Sequence, residues 1–116
     1  MAGRDQPLPR LARQVFQGPT LAEAWDRAAA ADVVKFDLKQ TDRGFLNDLV
    51  AFLAPRAKSR RVMIASGDPG TLLYLHSRLP EVTMLFSLAS PDAVHQLQSD
   101  PALQKAIGGV SLFRAW

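Results

Sequence analysis

The sequence contains no cysteine, and this absence excludes several kinds of chemistry together. Disulfide bonds, thiolate zinc sites, iron–sulfur clusters and thiol nucleophiles all need cysteine side chains. No apolar run approaches the roughly 18 uncharged residues that a membrane-spanning helix needs, and residues 1–10 lack the apolar stretch of a signal peptide. We therefore expect no membrane span, and a cytoplasmic location is the default expectation.

Aromatic residues and nucleotide-binding motifs are also scarce. Only 8% of the residues are aromatic, and the chain has no Gly-rich dinucleotide motif, no phosphate loop and no nucleophile elbow. The net charge is +3, but the main basic cluster (Arg56, Lys58, Arg60, Arg61) has no aromatic side chain within it on which bases could stack. We interpret this cluster as a solvated helix end and expect no nucleic-acid partner.

The composition that is present is typical of one globular domain. Apolar residues make up 47% of the chain and charged residues 22%, and 116 residues can enclose a single core but not two. Residues 1–18 hold three arginines and show neither a helical nor a strand period. We predict a basic flexible tail, or the remnant of a preceding element, over residues 1–18 and a single α/β domain over residues 19–116.

Short apolar runs alternate with helical patterns along residues 19–116. Parallel strands need such helical crossovers, and strands that are apolar almost throughout predict a sheet covered on both faces. Four strands cannot close an eight-stranded barrel, so these repeated βα units predict either a small open sheet or a partial, TIM-barrel-like sheet. The predicted strands are Val33–Lys39, Arg61–Ser66, Val82–Leu88 and Gly109–Phe113, with helices around Phe45–Leu53 and from Thr20, Asp68, Ser90 and Asp100.

In both architectures, ligands bind beyond the carboxyl ends of the strands. Asp37 and Lys39 follow the first strand, and because they are two residues apart we expect both side chains on one face. Asp68 and Ser90 are explained as helix caps. His76 and His95 fall within predicted helices, where we expect surface positions. The other residues at strand ends are Ser66, Gly67, Ser87, Phe113 and Arg114.

Asp37 is the most informative of these candidates. It is a carboxylate within an otherwise apolar strand, and burying it alone would be costly. Such a cost is usually offset by a metal, an amine or a ligand. The alternative is that Asp37 simply pairs with Lys39 at a wet end of the sheet.

Several segments follow one another in a characteristic order. They are Pro19-Thr20-Leu21-Ala22-Glu23-Ala24, then Val33–Lys39, then Arg61–Pro69, then Leu72, Leu75 and Leu79-Pro80. In order and spacing they resemble the glycerophosphodiester phosphodiesterases over roughly residues 19–113. In that family, a Pro-Thr-Leu helix start leads into a strand that ends in acid-x-Lys. The next strand ends in a Ser-Phe-Asp-Pro-like turn that leads into a Leu-rich helix.

The resemblance implies a TIM-like barrel that uses a divalent cation, Mg²⁺ or Ca²⁺, to hydrolyse glycerophosphodiesters to an alcohol and glycerol phosphate. It implies that Asp37 binds the metal, that Lys39 lies beside the phosphate and that Ser66 contacts the substrate. A hard cation prefers carboxylate oxygens, and a cation with a lysine would neutralise charge on phosphoryl oxygens. Asp37 stands where the family usually has glutamate, and Gly67 stands where phenylalanine is common.

The family's catalytic groups mostly precede its Pro-Thr-Leu helix. They are a His-Arg-Gly strand, a Glu-x-Asp metal pair and a second histidine, whereas residues 1–18 hold no histidine, no glutamate and only Asp5. We therefore assign no catalytic residue and expect the chain to be incomplete or inactive alone.

Two hypotheses follow from these departures. In the first, the chain is part of a phosphodiesterase barrel. A second copy, as in a homodimer, or a complementing barrel fragment then covers the apolar edge strands Val33–Leu38 and Gly109–Phe113. In the second, it is a non-catalytic α/β module that binds a phosphate-containing ligand or a protein partner.

Overall fold

The computed structural model describes residues 21–28, 33–39 and 41–112, in which five helices and four strands alternate. This alternation confirms the predicted βα repeat. None of the described helices is long and apolar enough to cross a membrane. The predicted tail, the Thr20 cap, Phe113 and Arg114 lie outside the described residues. The elements are α1 (Leu21–Arg27), β1 (Val33–Asp37), α2 (Arg43–Leu53), β2 (Arg61–Ser66), α3 (Pro69–Arg78), β3 (Thr83–Leu88), α4 (Pro91–Gln98), α5 (Pro101–Ala106) and β4 (Gly109–Leu112).

Helices α2 to α5 each begin at a side chain that caps a first-turn amide. At Asp68, Oδ2 accepts hydrogen bonds from the Thr71 backbone N–H at 2.9 Å and from Thr71 Oγ1 at 2.7 Å. A proline follows Asp68 directly, at a position where a missing N–H costs nothing. Asp42, Ser90 and Asp100 cap the other three helices. The interpretation of Asp68 and Ser90 as caps is confirmed.

The four strands form one parallel sheet in the order β1-β2-β3-β4, the order in which they occur along the chain. Crossovers between parallel strands are right-handed, so this consecutive order places successive helices on the same face of the sheet. In a doubly wound sheet, by contrast, the strand order reverses and helices cover both faces. The predicted α/β class is confirmed, and the sheet is compatible with part of a barrel.

Even-numbered strand residues point toward the helices and form the core; we call this side the helix face. Val62 and Ile64 of β2 and Met84 and Phe86 of β3 are almost fully buried there. They belong to one apolar cluster with leucines of α2, α3 and α5, namely Leu46, Leu49, Leu53, Leu72, Leu75 and Leu103. The burial of this cluster fixes the helices to one side of the sheet.

Odd-numbered strand residues point to the other side, which we call the open face. Burial on this face falls from the middle strands to the edge: Ala65 and Ser87 are buried, Met63 is half-buried, and Lys35 and Asp37 of β1 are exposed. The expectation that both faces of the sheet are covered therefore does not hold for all four strands. It is wrong for β1, whose residues on the open face are exposed. The reason is the consecutive strand order, which puts the described helices on the helix face.

Arginines of the basic cluster fasten the ends of two helices. Arg60 Nη1 donates to the carbonyls of Trp25 and Ala28 at 2.9 and 3.1 Å, and its guanidinium lies 4.3 Å from the centroid of the Trp25 ring. Arg56 Nη1 donates to the carbonyl of Phe52 at 2.8 Å. The Trp25 and Phe52 rings meet edge to face at 5.9 Å. The cluster thus lies at helix ends, as predicted, but Arg56 and Arg60 are half-buried rather than fully solvated.

Candidate functional site

The open face is curved, and the evidence is a side chain of β1 that contacts β4 across this face. Lys35 Nζ donates to Ser111 Oγ at 3.3 Å. β1 and β4 are the outer strands of the described sheet. In a flat sheet three strand spacings would separate them by about 14 Å, too far for a lysine to bridge. The sheet therefore curls toward its open face, as the wall of a barrel does.

Asp37 and Lys39 lie at the carboxyl end of β1 on this curved face. Lys39 Nζ is 3.6 Å from Asp37 Oδ1, and the two side chains are 60% and 48% exposed, respectively. Asp37 is exposed rather than buried, because β1 is an outer strand of the described sheet and its odd-numbered residues face solvent. The structure shows the alternative, an ion pair at a wet end of the sheet. An ion pair this exposed contributes little stability, so the fold does not depend on it.

Two serines lie side by side on the open face of β3 and β4. Ser87 is in register with Ser111, so both side chains point to the same face. Ser87 is only 5% exposed, and its hydroxyl has no hydrogen-bond partner among the described residues. A buried hydroxyl without a partner is costly, and a ligand oxygen that accepted its proton would remove that cost. The open face therefore combines Lys35 and Lys39 with two hydroxyl groups.

Ser66 points away from this group of side chains. It belongs to the helix face and is 2% exposed, and its Oγ accepts a hydrogen bond from the Asp68 backbone N–H at 3.1 Å. This contact closes the turn that leads into the Asp68 cap of α3. The structure therefore gives Ser66 a turn-forming role and does not bring it together with Asp37 and Lys39. Its contact with substrate stays a prediction.

The described residues do not by themselves form a divalent-cation site. Ca²⁺ and Mg²⁺ are held by about six or more oxygen ligands, supplied by protein, water or substrate. Within residues 21–28, 33–39 and 41–112, no three His, Asp or Glu side chains come together in a way that could hold a metal. Asp37 is also paired with Lys39. A cation on Asp37 would need ligands from elsewhere, and that role stays a prediction.

Neither histidine lies on the open face. His95 is exposed on α4, as predicted, whereas His76 on α3 is half-buried, and its Nδ1 has no partner among the described residues. Both helices pack on the helix face, so neither imidazole is placed beside Lys39 as a proton donor or acceptor.

Lys35 and Ser111 are the two residues of this face that sequence reasoning missed. Lys35 could have been found, because the period of two that unites Asp37 with Lys39 extends back to Lys35. Ser111 carried no such signal, because its contact with Lys35 depends on the curvature of the sheet.

No protein-family model, no curated protein and no solved structure matches this chain. A function for the chain must therefore be argued from the side chains on the open face, since a fold alone does not determine a function.

Proposed function

We propose that this chain is a phosphodiester-binding α/β half-barrel of the glycerophosphodiester phosphodiesterase type. The supporting observation is that Lys35, Lys39, Ser87 and Ser111 all occupy the open face, and that Lys39, Ser87 and Ser111 lie toward the carboxyl end of the sheet. Phosphate oxygens carry negative charge and accept hydrogen bonds, and ammonium and hydroxyl groups are the matching donors. The carboxyl end of the strands is also where barrel proteins place their sites.

Lys39 is the residue that we assign to the phosphate. Its exposed ion pair with Asp37 is weak, and a phosphate carrying one or two negative charges can compete for the ammonium group. Ser87 would donate its unpartnered hydroxyl hydrogen to a ligand oxygen. Asp37 would then hold Lys39 in position and accept a hydrogen bond from a glycerol hydroxyl.

Hydrolysis requires groups beyond those that the described residues bring to this face. The leaving alkoxide needs a proton donor and the attacking water needs a base. His76 and His95 are on helices of the opposite face, and Asp37 is the carboxylate that β1 contributes. We propose that turnover depends on a second copy or on a complementing fragment that completes the site.

A second candidate function is binding without chemistry. The exposed Asp37–Lys39 pair favours it, as does the lack of a three-residue metal-binding group within the described ranges. Both candidates share the same ligand chemistry, and turnover separates them.

Binding is tested by calorimetric titration of the full chain with glycerol 3-phosphate and with glycerophosphocholine. We expect saturable binding that weakens at least ~10-fold in Lys39→Gln, because about 1.4 kcal/mol of charge-assisted contact is lost. Lys58→Gln is the matched control. Lys58 forms a similar exposed ion pair with Glu81 at 3.8 Å, where the chain enters β2 and β3 at the other end of the sheet. Equal weakening in both variants, or no saturation by wild type, would refute the proposed site.

Turnover is tested on glycerophosphocholine with Mg²⁺, Ca²⁺ and Mn²⁺ in turn, with Asp37→Asn as the control for contaminating activity. Release of glycerol phosphate that disappears in Asp37→Asn supports the phosphodiesterase assignment. Binding without any release above that of Asp37→Asn supports the binding module instead.

A further inference from the structure

The stagger between neighbouring strands indicates how this half-barrel can close. β2 begins level with β1. β3 begins two residues beyond the start of β2, since Thr83 pairs with Met63. β4 begins two residues beyond the start of β3, since Gly109 pairs with Leu85. The described sheet therefore accumulates a stagger of four residues from β1 to β4.

An eight-stranded parallel barrel closes when the stagger around its circumference reaches about eight residues. Four strands must therefore supply a stagger of about four residues. This sheet supplies that stagger if the first residue of β4 is level with the first residue of the strand that follows it around the barrel. We propose that two copies of this chain associate about a two-fold axis along the barrel, with β4 of each pairing in parallel with β1 of the other. Gly109–Leu112 of one copy then lies opposite Val33–Phe36 of the second copy. This inference rests on the fold and not on the proposed ligand.

This register keeps both faces of the sheet continuous across the junction. Ser111 of one copy lies beside Lys35 of the second copy, and both belong to the open face. Val110 lies beside Val34 of the second copy, and both belong to the helix face. A slip of one residue would turn the apolar side chains to the wrong face, so the pairing is specified rather than arbitrary.

The outer strands also carry the apolar surface that such a pairing would cover. Val33, Val110 and Leu112 are the large apolar side chains that the described part of the chain leaves exposed, at 40%, 42% and 68%. All three lie on β1 or β4, whose outer backbone groups have no ladder partner in the described sheet. α1 precedes β1 and packs through Trp25 on the helix face, so α1 of one copy would lie against Leu112 of the other.

The first test is the mass of the full chain by sedimentation equilibrium. We expect two chains for wild type and one chain for Leu112→Asp, because the closed barrel would bury the new carboxylate against apolar side chains. Leu112 is 68% exposed in the single chain, so the fold tolerates the change, and circular dichroism verifies this. Gln96→Asp on the exposed side of α4 is the control and should stay dimeric. A wild-type mass of one chain at high concentration, a larger open assembly, or a Leu112→Asp dimer would each overturn the proposal.

The second test joins the two strands covalently. The chain has no cysteine, so Val34→Cys and Val110→Cys introduce the only thiols. Treatment of this double variant with a short bismaleimide should give covalent dimers, because the two positions are neighbours between copies but lie on opposite edges of one chain. Val110→Cys combined with Gln96→Cys is the control. Covalent dimers in equal yield from the control, or none from the test pair, would contradict the pairing. Neither readout involves a phosphate ligand, so failure of this inference and failure of the proposed function are distinguishable.

Discussion

Replacing Arg60 by alanine should loosen α1 from the rest of the protein. Arg60 Nη1 donates to the Trp25 and Ala28 carbonyls at 2.9 and 3.1 Å, at an end of α1 where carbonyls have no partner within the helix. Its guanidinium also covers the Trp25 ring, whose centroid is 4.3 Å away. Because Trp25 belongs to the core cluster, losing these contacts affects the core as well as the end of α1.

The size of the effect follows from these contacts. A hydrogen bond to a charged group contributes about 1.5–3 kcal/mol, and a cation–π contact adds about 0.5–1 kcal/mol. The two hydrogen bonds share one nitrogen, so we count them as a single charge-assisted contact. We expect Arg60→Ala to lower the free energy of unfolding by about 2–4 kcal/mol. At about 4 °C per kcal/mol for a domain of this size, the Tm should fall by roughly 8–16 °C.

Thermal unfolding followed by circular dichroism measures this loss, and hydrogen exchange over residues 21–28 locates it. Arg61→Ala is the matched control. It removes the same charge at the next position, where the side chain is exposed and makes no hydrogen bond or ion pair with another described residue. We expect a change within about 0.5 kcal/mol there. Arg60→Lys should fall between the two, because it keeps the charge but loses the planar fork. A Tm for Arg60→Ala near that of wild type, or an equal loss in Arg61→Ala, would refute the reasoning.

Three further variants test the packing and the caps. A Cβ at Gly108 would lie 2.8 Å from Thr83 Cγ2, so Gly108→Ala should lower the Tm by several degrees. Adding Thr83→Ser removes that methyl group and should restore most of the Tm. A double variant without this recovery would contradict the account. Leu49 is fully buried, so Leu49→Ala should lower the free energy of unfolding, measured in urea, by about 3–5 kcal/mol. An unchanged urea concentration at half-unfolding would place Leu49 outside the core. Asp68→Ala removes both contacts to Thr71 and should cost about 1–2 kcal/mol in the same assay, more than Asp68→Asn does.

The order of helices and strands could be predicted because its signals are local. Asp68-Pro69, Ser90-Pro91 and Asp100-Pro101 mark helix starts wherever they occur, since a cap and a proline act on the amides next to them. Strand β2 was predicted with its observed bounds, Arg61–Ser66, because an apolar run stands between polar turns. β1 ends at Asp37, two residues before the predicted end.

The site was harder to predict, because its properties depend on neighbouring strands. The strand's own sequence left open whether Asp37 is buried or pairs with Lys39 in solvent, because its exposure depends on the position of β1 at the edge of the described sheet. Ser66 was chosen for its place at a strand end, although its even position turns it toward the helices. The Lys35–Ser111 contact joins residues that are far apart in sequence, and only the curvature of the sheet brings them together.

The consecutive strand order also bears on how the protein is made. Each of the four described strands pairs with its neighbours in sequence. Each of these pairings closes a loop no longer than one crossover, so its entropy cost is modest. During synthesis, the sheet can grow in one direction as each βα unit leaves the ribosome. Among the described strands, β4 is then added after the other three. Its exposed apolar side chains, Val110 and Leu112, are presented only after β1, β2 and β3 have their helices in place. A chain in which β4 has not yet formed lacks one of the two edges that the proposed pairing needs, so it cannot yet form the closed pair.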